Sequence, residues 1–285
     1  MSIKINQLTH IYNPDTPFEK VALNDINLEI ESGSFIGIIG HTGSGKSTLI
    51  QMFNGLLKPT KGQVLVNNID IHEEKTDRKK IRQKVGLVFQ YPEYQLFEIS
   101  VYKDVAYGPK NLGLDEAEIK IRVEEALHVV GLEKEMWEKS PFELSGGQKR
   151  RVAVAGVLAM KPEMLILDEP TAGLDPKGRE ELFAQLKEMH TKLGITIVLI
   201  SHSMEDVAKY AEKLIVLHEG AIAYEGTPRE IFVHVEELEK IGLAPPQIKY
   251  IIRDLKARGI EIDETILTVE EAAAKLIEYF KVRRG

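Results

Sequence analysis

The chain contains no cysteine in its 285 residues. That excludes disulfides, a thiol nucleophile and cysteine-ligated zinc, and it fits a reducing compartment. No apolar run approaches the roughly 18–20 residues a helix needs to cross a bilayer. The longest runs, such as ITIVLI at 195–200, have the length of buried strands. The opening MSIKINQLTH lacks the apolar stretch of a signal peptide, so none is expected. Internal repeats and low-complexity tracts are also missing. Basic residues are in deficit: 37 Lys+Arg against 44 Asp+Glu give a net charge of −7. Such a balance disfavours a protein that binds nucleic acid by neutralising phosphates. What is present, 43% hydrophobic and 28% charged residues, is enough to bury a sizeable core and too apolar for a disordered chain.

Periodicity then orders the chain. Loose alternation over 2–12 and apolar–polar alternation over 21–30 predict half-buried antiparallel strands. The short apolar run 34–39, bounded by glycines, predicts a buried central strand, and VGLVF at 85–89 a second. Leu49, Ile50, Met52, Phe53 and Leu56 are at helical spacing within 47–57, and 62–71 reads as a strand pair. Helical texture dominates 91–160. Asp115 and Glu118 are placed for a capping box on a helix that runs to Val130 and stops at Gly131. Strands at 164–167 and 195–200 flank a helical pattern over 177–193. This β-α-β alternation predicts an α/β fold with a parallel sheet covered by helices. A strand at 214–217 and a turn at Gly220 follow, and the tail from 227 is helical.

The segment GHTGSGKST (40–48) satisfies the phosphate-loop pattern G-x-x-x-x-G-K-[ST] between a buried strand and an apolar-faced helix. Gly40, Gly43 and Gly45, with Thr42, Ser44 and Thr48 among them, let the backbone N–H groups turn toward phosphate oxygens at a helix N-terminus. Lys46 supplies a positive charge to the β- and γ-phosphates, and Ser47 a hydroxyl ligand for Mg²⁺. A second motif, MLILDE (164–169), is an apolar run ending in two acids. A parallel strand delivers such a carboxylate to the sheet edge where ligands bind. Asp168 is therefore the candidate Mg²⁺ holder and Glu169 the candidate general base for an attacking water.

The motif LSGGQ (144–148), followed by KRR and an apolar helix, resembles the signature of ATP-binding-cassette (ABC) ATPases. Other elements of that family follow in order. Gln90, ending VGLVFQ, resembles the Q-loop glutamine; GLD at 173–175 resembles the D-loop, with Asp175; and His202, after TIVLIS, resembles the switch histidine. Tyr12 is similar to the aromatic residue that stacks on adenine, although tyrosine is also a good strand residue. The resemblance implies a phosphate-loop NTPase fold with an antiparallel β-subdomain and a helical subdomain. It implies that ATP, with Mg²⁺, is sandwiched between two cassettes facing head to tail, each contributing the phosphate loop to one site and Ser145, Gly146, Gly147 and Gln148 to the other. Glu169 is then the base, His202 contacts the γ-phosphate and the water, and Gln90 joins the Mg²⁺ shell and reports nucleotide state.

The lack of a heptad pattern between Lys46 and Ser145 disfavours the coiled-coil chromosome-maintenance branch of that family, and a single cassette disfavours translation-factor types. Within it, GHTGSGKST and the segment YPEYQLFE (91–98) resemble the A2-type ATPase of energy-coupling-factor (ECF) importers. That resemblance implies a cell-membrane-bound peripheral subunit on the cytoplasmic face, paired with a second ATPase as homo- or heterodimer. It further implies a transmembrane coupling subunit and a substrate-binding membrane subunit for a vitamin or metal ion, and no nucleic acid. Tyr94, Leu96 and Phe97, ringed by Glu93, Glu98 and Asp104, form either an acidic-edged apolar groove for a basic partner helix or aromatics of the helical core. In the tail, Pro245-Pro246 opens a helix with Ile248, Ile251, Ile252 and Leu255 on one stripe. Thr268 and Glu271 form a capping box for a last helix carrying Val269, Ala272, Leu276 and Phe280. The expected division is a cassette over 1–225, with its helical subdomain at about 91–160, and an extension over 226–285 that holds two ATPases together or packs only on its own domain. A dedicated cobalt or nickel importer and a soluble ABC-type regulator of a non-transport complex remain the alternatives.

Overall fold

The structure, a computed structural model, describes residues 1–282. The chain begins with strands β1 (Ile3–Tyr12), β2 (Lys20–Ile30) and β3 (Phe35–Ile39), followed by helix α1 (Lys46–Phe53). Next come β4 (Lys61–Val66), β5 (Ile69–Asp70), α2 (Arg78–Lys84) and β6 (Val85–Val88). The helical insertion consists of α3 (Val101–Asn111), α4 (Glu116–Val129) and α5 (Gly146–Leu158). Then β7 (Met164–Asp168), α6 (Pro176–Leu193), β8 (Thr196–Ile200), α7 (Met204–Tyr210), β9 (Lys213–His218) and β10 (Ala221–Gly226) complete the sheets. The tail is α8 (Pro228–Ile231), α9 (Val235–Lys240), α10 (Gln247–Ala257) and α11 (Val269–Val282).

The strands form two sheets. A four-stranded antiparallel sheet has the order β2-β1-β4-β5, and a six-stranded sheet has the order β10-β9-β3-β8-β7-β6, with only β10 antiparallel. The α/β expectation holds, and so do the parallel core and the antiparallel β-subdomain. Strict period-two alternation builds two cores on the central sheet. Phe35, Leu165, Leu167, Ile197 and Leu199 point to the helical side. Ile36, Ile38, Met164, Ile166, Val198 and Ile200 point to the side covered by α1 and the antiparallel sheet. Burying each such side chain contributes roughly 1.5–3 kcal/mol.

Two helices had no sequence expectation. α2 is short and basic, started by Asp77, whose carboxylate accepts the Lys79 N–H (3.0 Å). α7 is started by Ser203, whose hydroxyl accepts the Asp206 N–H (3.2 Å). The capping box at Asp115 forms only in half: Asp115 accepts the Glu118 N–H (2.9 Å), but Glu118 turns to Arg122 (2.6 Å) instead of back to the cap. An ion pair one turn ahead outcompetes the neutral backbone donor. At the last helix Thr268 accepts the Glu271 N–H (3.2 Å), while the Glu271 carboxylate accepts from the Leu267 N–H (3.0 Å) and from Arg229 (2.5 Å).

The tail divides its apolar residues. Ile231, Phe232, Leu238 and Leu243 join the helical-side core of the cassette. Ile248, Ile252, Ile266 and Ala272 form a small cluster of their own. Ile251, Val269, Ile277 and Phe280 remain exposed, so the two stripes pack internally only in part. The final three residues of the expected extension lie outside the described residues.

Candidate functional site

Four parallel strands carry the site at their carboxyl edge. β3 runs into the phosphate loop, β6 into Gln90, β7 into Asp168 and Glu169, and β8 into His202. In register, Asp168 lies opposite Ile200 and Leu167 opposite Val88, so the four strand ends open onto one cleft of about 350 Å³. Its walls include Tyr12, Thr42, Gly43, Gly45, Lys46, Ser47, Thr48, Gln90, Asp168, Glu169 and His202. Parity explains Asp168: it shares the face of Met164 and Ile166, the face α1 covers, and so meets the first turn of that helix.

The loop is built tightly. Gly45 has φ 104, and a Cβ there would lie 2.6 Å from the Ala22 carbonyl oxygen, so only glycine fits. The β9–β10 hairpin props the loop from behind: the Gly220 N–H donates to Ser44 O (3.1 Å), and Gly220 O accepts the Asn24 N–H (2.8 Å). Gly40 and Ser44 belong to this support rather than to the cleft wall. The Ser44 side chain is fully buried, so any contact of Ser44 with a phosphate falls to its backbone N–H.

Lys46 is nearly buried and donates to Gly40 O (2.6 Å) and His41 O (3.0 Å). Burial lowers its pKa, while Glu169 and Asp168 pull it back up. Ser47 Oγ donates to Asp168 Oδ2 at 3.4 Å. Burial raises the Asp168 pKa against the opposing pull of Ser47 and Lys46. Glu169 is held in the left-handed region, φ 50, a strained conformation that functional sites retain. Its Oε1 is buried without a hydrogen-bond partner and lies 3.5 Å from His202 Nε2. Burial pushes the Glu169 carboxyl up to about 7, only partly countered by the His202 backbone N–H. Burial and the charge of Lys46 lower the His202 pKa. This combination of a poised acid, a neutral imidazole and a buried cation suits proton abstraction next to an anionic ligand.

Tyr12 lines the cleft, and its hydroxyl hydrogen-bonds with Thr48 Oγ1 (3.2 Å). Lys20 and Ala22, at the start of β2, also form part of the wall. Sequence reasoning missed both, because only strand pairing brings them there.

Ser145, Gly146, Gly147 and Asp175 are not in this cleft. They line a separate hollow of about 540 Å³ with Arg151 and Lys177. Ser145 caps α5 by accepting the Gln148 N–H (3.3 Å), and Gln148 Oε1 accepts the Ser145 N–H (2.9 Å), a complete capping box. Gln148 is thus engaged at the cap. Asp175 caps α6, accepting the Gly178 N–H (2.7 Å). The two hollows share no wall residue.

A third hollow, about 470 Å³, lies between the segment after Gln90 and helices α3 and α5. Phe97, 56% exposed, lines it together with Leu96, which is buried in the helical core; Tyr94 and Ile99, in the same segment, are 84% and 72% exposed. The expected acidic edge is mostly committed internally. Glu93 is paired with Arg150, and Asp104 accepts the backbone N–H groups of Phe97 (3.1 Å) and Glu98 (2.9 Å). Lys79 and Arg82 also reach the hollow. The groove is more apolar, and less acidic, than the sequence suggested.

Comparison with known proteins accounts for this geometry. The ABC transporter family profile matches residues 23–172. The energy-coupling factor transporter ATP-binding protein EcfA2 of Clostridium tetani is 57% identical over 281 residues, covering 98% of each chain. Its namesake in Bacillus subtilis is 51% identical over 93% of this chain and 98% of that one. Among solved structures, cbiO1 of Clostridium perfringens, part of the ABC transporter complex cbiONQ, superposes with a TM-score of 0.75 at 43% identity, covering 88% of this chain and 98% of that one. The dimeric bacterial ABC transporter cassette MJ0796 gives 0.72 at 33% identity, covering 79% and 98%. A post-hydrolysis form of that cassette bound to ADP and Pi gives 0.71 at 32% identity, with the same coverage. The chain belongs to the ABC transporter family and, within it, to the energy-coupling factor transporter ATP-binding proteins. The A2-type resemblance read from the motifs is borne out, and the non-transport regulator finds no support among these relatives. No helix among the described residues is long and apolar enough to cross a membrane.

Proposed function

We propose that this chain is the ATP-hydrolysing motor of an ECF-type importer, bound peripherally to the cytoplasmic face of the membrane. It works with a second ATPase, a transmembrane coupling subunit and a membrane subunit that selects a vitamin or metal ion. The observation that carries this reading is the convergence of Lys46, Ser47, Gln90, Asp168, Glu169 and His202 on one cleft.

Phosphoryl transfer asks mainly for positioning and charge stabilisation. Lys46, now held by two loop carbonyls, exchanges them for the β- and γ-phosphate oxygens of ATP. Glu169 accepts a proton from the attacking water, a role that a pKa near 7 suits. His202, kept neutral, donates a hydrogen bond to the γ-phosphate and fixes the water. The oxygen donors Ser47 and Asp168, with Gln90 beside them, fit a Mg²⁺ and would hold it. That ion would supply neutralisation of phosphate charge. The second hollow, with Ser145 at a helix N-terminus, faces the γ-phosphate of the ATP bound by the other cassette. Exposed Tyr94, Phe97 and Ile99 offer the membrane subunit an apolar seat, and exposed Ile277 and Phe280 offer the second ATPase another.

Purification of the tagged chain from mild detergent tests the assembly. A second cassette and a polytopic membrane protein are expected to co-purify. A soluble complex without any membrane protein refutes the transport reading.

A further inference from the structure

One buried side chain that lines the signature hollow has no part in the chemistry described so far. Arg150 lies on α5, a turn beyond the signature loop, and is 4% exposed. Its guanidinium joins two separate segments. Nη1 donates to the carbonyl oxygens of Pro170 (3.1 Å) and Ala172, in the turn that leads from Glu169 to Asp175. Nη2 donates to both carboxylate oxygens of Glu93 (3.1 and 3.2 Å), in the short 3-10 helix Pro92–Gln95 that follows Gln90. The turn is closed from inside as well, because the Ala172 N–H donates to Glu169 O (3.2 Å). Ala172 is therefore bonded to Glu169 on one side and to Arg150 on the other.

Both joined segments carry backbone that needs external support. Glu169 has φ 50, and Tyr91, directly after Gln90, has φ 54. Such conformations persist in non-glycine residues when their surroundings over-determine them. A planar fork with five donors can serve two carbonyls and a carboxylate together, whereas an ammonium group cannot reproduce that geometry. A buried ion pair is also weak ground for stability by itself. Here it connects the segment of Gln90, beside the exposed Tyr94 and Phe97, with the turn of Glu169.

We propose that Arg150 is a positioning residue for ATP hydrolysis: it clamps the turn after Glu169 to Glu93, so that the placement of the segment after Gln90 sets the placement of the general base. The inference rests on the assignment of Glu169 as that base. A displacement at the partner-facing groove moves Glu93, and Arg150 carries it to Pro170 and Ala172. The membrane subunit thereby acts on hydrolysis without touching the nucleotide.

The test uses Arg150→Lys and Glu93→Gln, singly and combined, in the full chain, with ATP turnover, KM for ATP and melting temperature measured on each. Arg150→Lys is expected to lower kcat about 10- to 100-fold and Glu93→Gln about 10-fold, with KM within about 2-fold of the original. The double variant is expected to be no worse than Arg150→Lys, because both changes cut the same link. A packing role predicts instead that lost activity follows lost folded protein, and losses that multiply mean that the two residues do not share one link; either result overturns the clamp, as does kcat within about 2-fold of the original in both single variants. Glu169→Gln, run in parallel, separates the two readings. If it is inactive while the Arg150 and Glu93 variants turn over normally, the clamp fails and the base assignment stands. If it turns over fully, the base assignment fails and the clamp with it.

Discussion

The phosphate cleft and the signature hollow are both built at helix N-termini, yet they differ in what surrounds them. The cleft collects a buried lysine, two carboxyl groups with raised pKa values and an imidazole with a lowered one. The signature hollow has glycines, a serine already engaged as a cap, and the flanking cations Arg151 and Lys177. Desolvation explains the contrast: Lys46, Asp168 and Glu169 are largely withdrawn from water and His202 is half-exposed beside them, whereas Ser145 and Gly146 lie exposed at the surface. Under the proposed function, chemistry is concentrated in one surface and anion positioning in the other. Their separation within one chain is what the head-to-tail pairing under the proposed function would complement.

The contrast can be broken most severely at Lys46. Lys46→Ala is expected to abolish nucleotide binding or to lower turnover on the order of 1,000-fold, because the other cation of the cleft wall, Lys20, comes from the start of β2 and not from the phosphate loop. Unchanged steady-state kinetics would refute the phosphate-loop reading. Glu169→Gln comes next, with kcat lowered about 100- to 1,000-fold and ATP affinity retained, since only proton transfer is removed. Nucleotide binding and the accumulation of an ATP-bound dimer on size-exclusion chromatography check it, and full turnover would remove Glu169 from its assigned role.

Much of the cleft could be read from the sequence because its determinants are local. A strand, a glycine loop and a helix are contiguous at 35–53, and period-two alternation alone puts Asp168 on the α1 face. The signature helix was equally legible from Ser145 and Gln148. Long-range partners were not. Glu93 and Asp104 look like free acids in sequence, but Arg150 and the backbone N–H groups of Phe97 and Glu98 occupy them. Arg150 itself was hidden in the run Lys149-Arg150-Arg151, where nothing local distinguishes the buried arginine from its neighbours. α2 and α7 escaped because seven-residue polar helices show too little periodicity. The burial of the Ser44 side chain was not legible either, because the pattern marks a loop without saying which side chains face inward.

On the signature side, Ser145→Ala sharpens the comparison. It removes the acceptor of the Gln148 N–H and is expected to cost about 1 kcal/mol of stability. Turnover should fall about 10-fold, while ATP affinity of the isolated chain stays within about 2-fold, because Ser145 has no place in the cleft wall. A matching loss of ATP affinity in the isolated chain would mean that the two surfaces are not independent.

The smallest expected effect concerns the cost of keeping Glu169 in the cleft. Its carboxyl titrates near 7 in the folded chain, against an ordinary value of 4.5. The folded state thus holds the proton more tightly than the unfolded state does. Below about pH 4.5 both states are protonated and the residue contributes no pH dependence. As pH rises toward 7 the unfolded chain ionises first, and stability falls; above 7 the full penalty of a buried carboxylate is present. Glutamine never ionises. In the nucleotide-free chain, Glu169→Gln should therefore melt about 2–6 °C higher than the original above pH 7, equivalent to about 1–2 kcal/mol once solvent screening is allowed for. The difference should close as pH falls toward 4.5. Melting curves at pH 5, 6, 7 and 8 check this, and a gap that is flat with pH would show that desolvation is not what sets the cleft apart from the signature hollow.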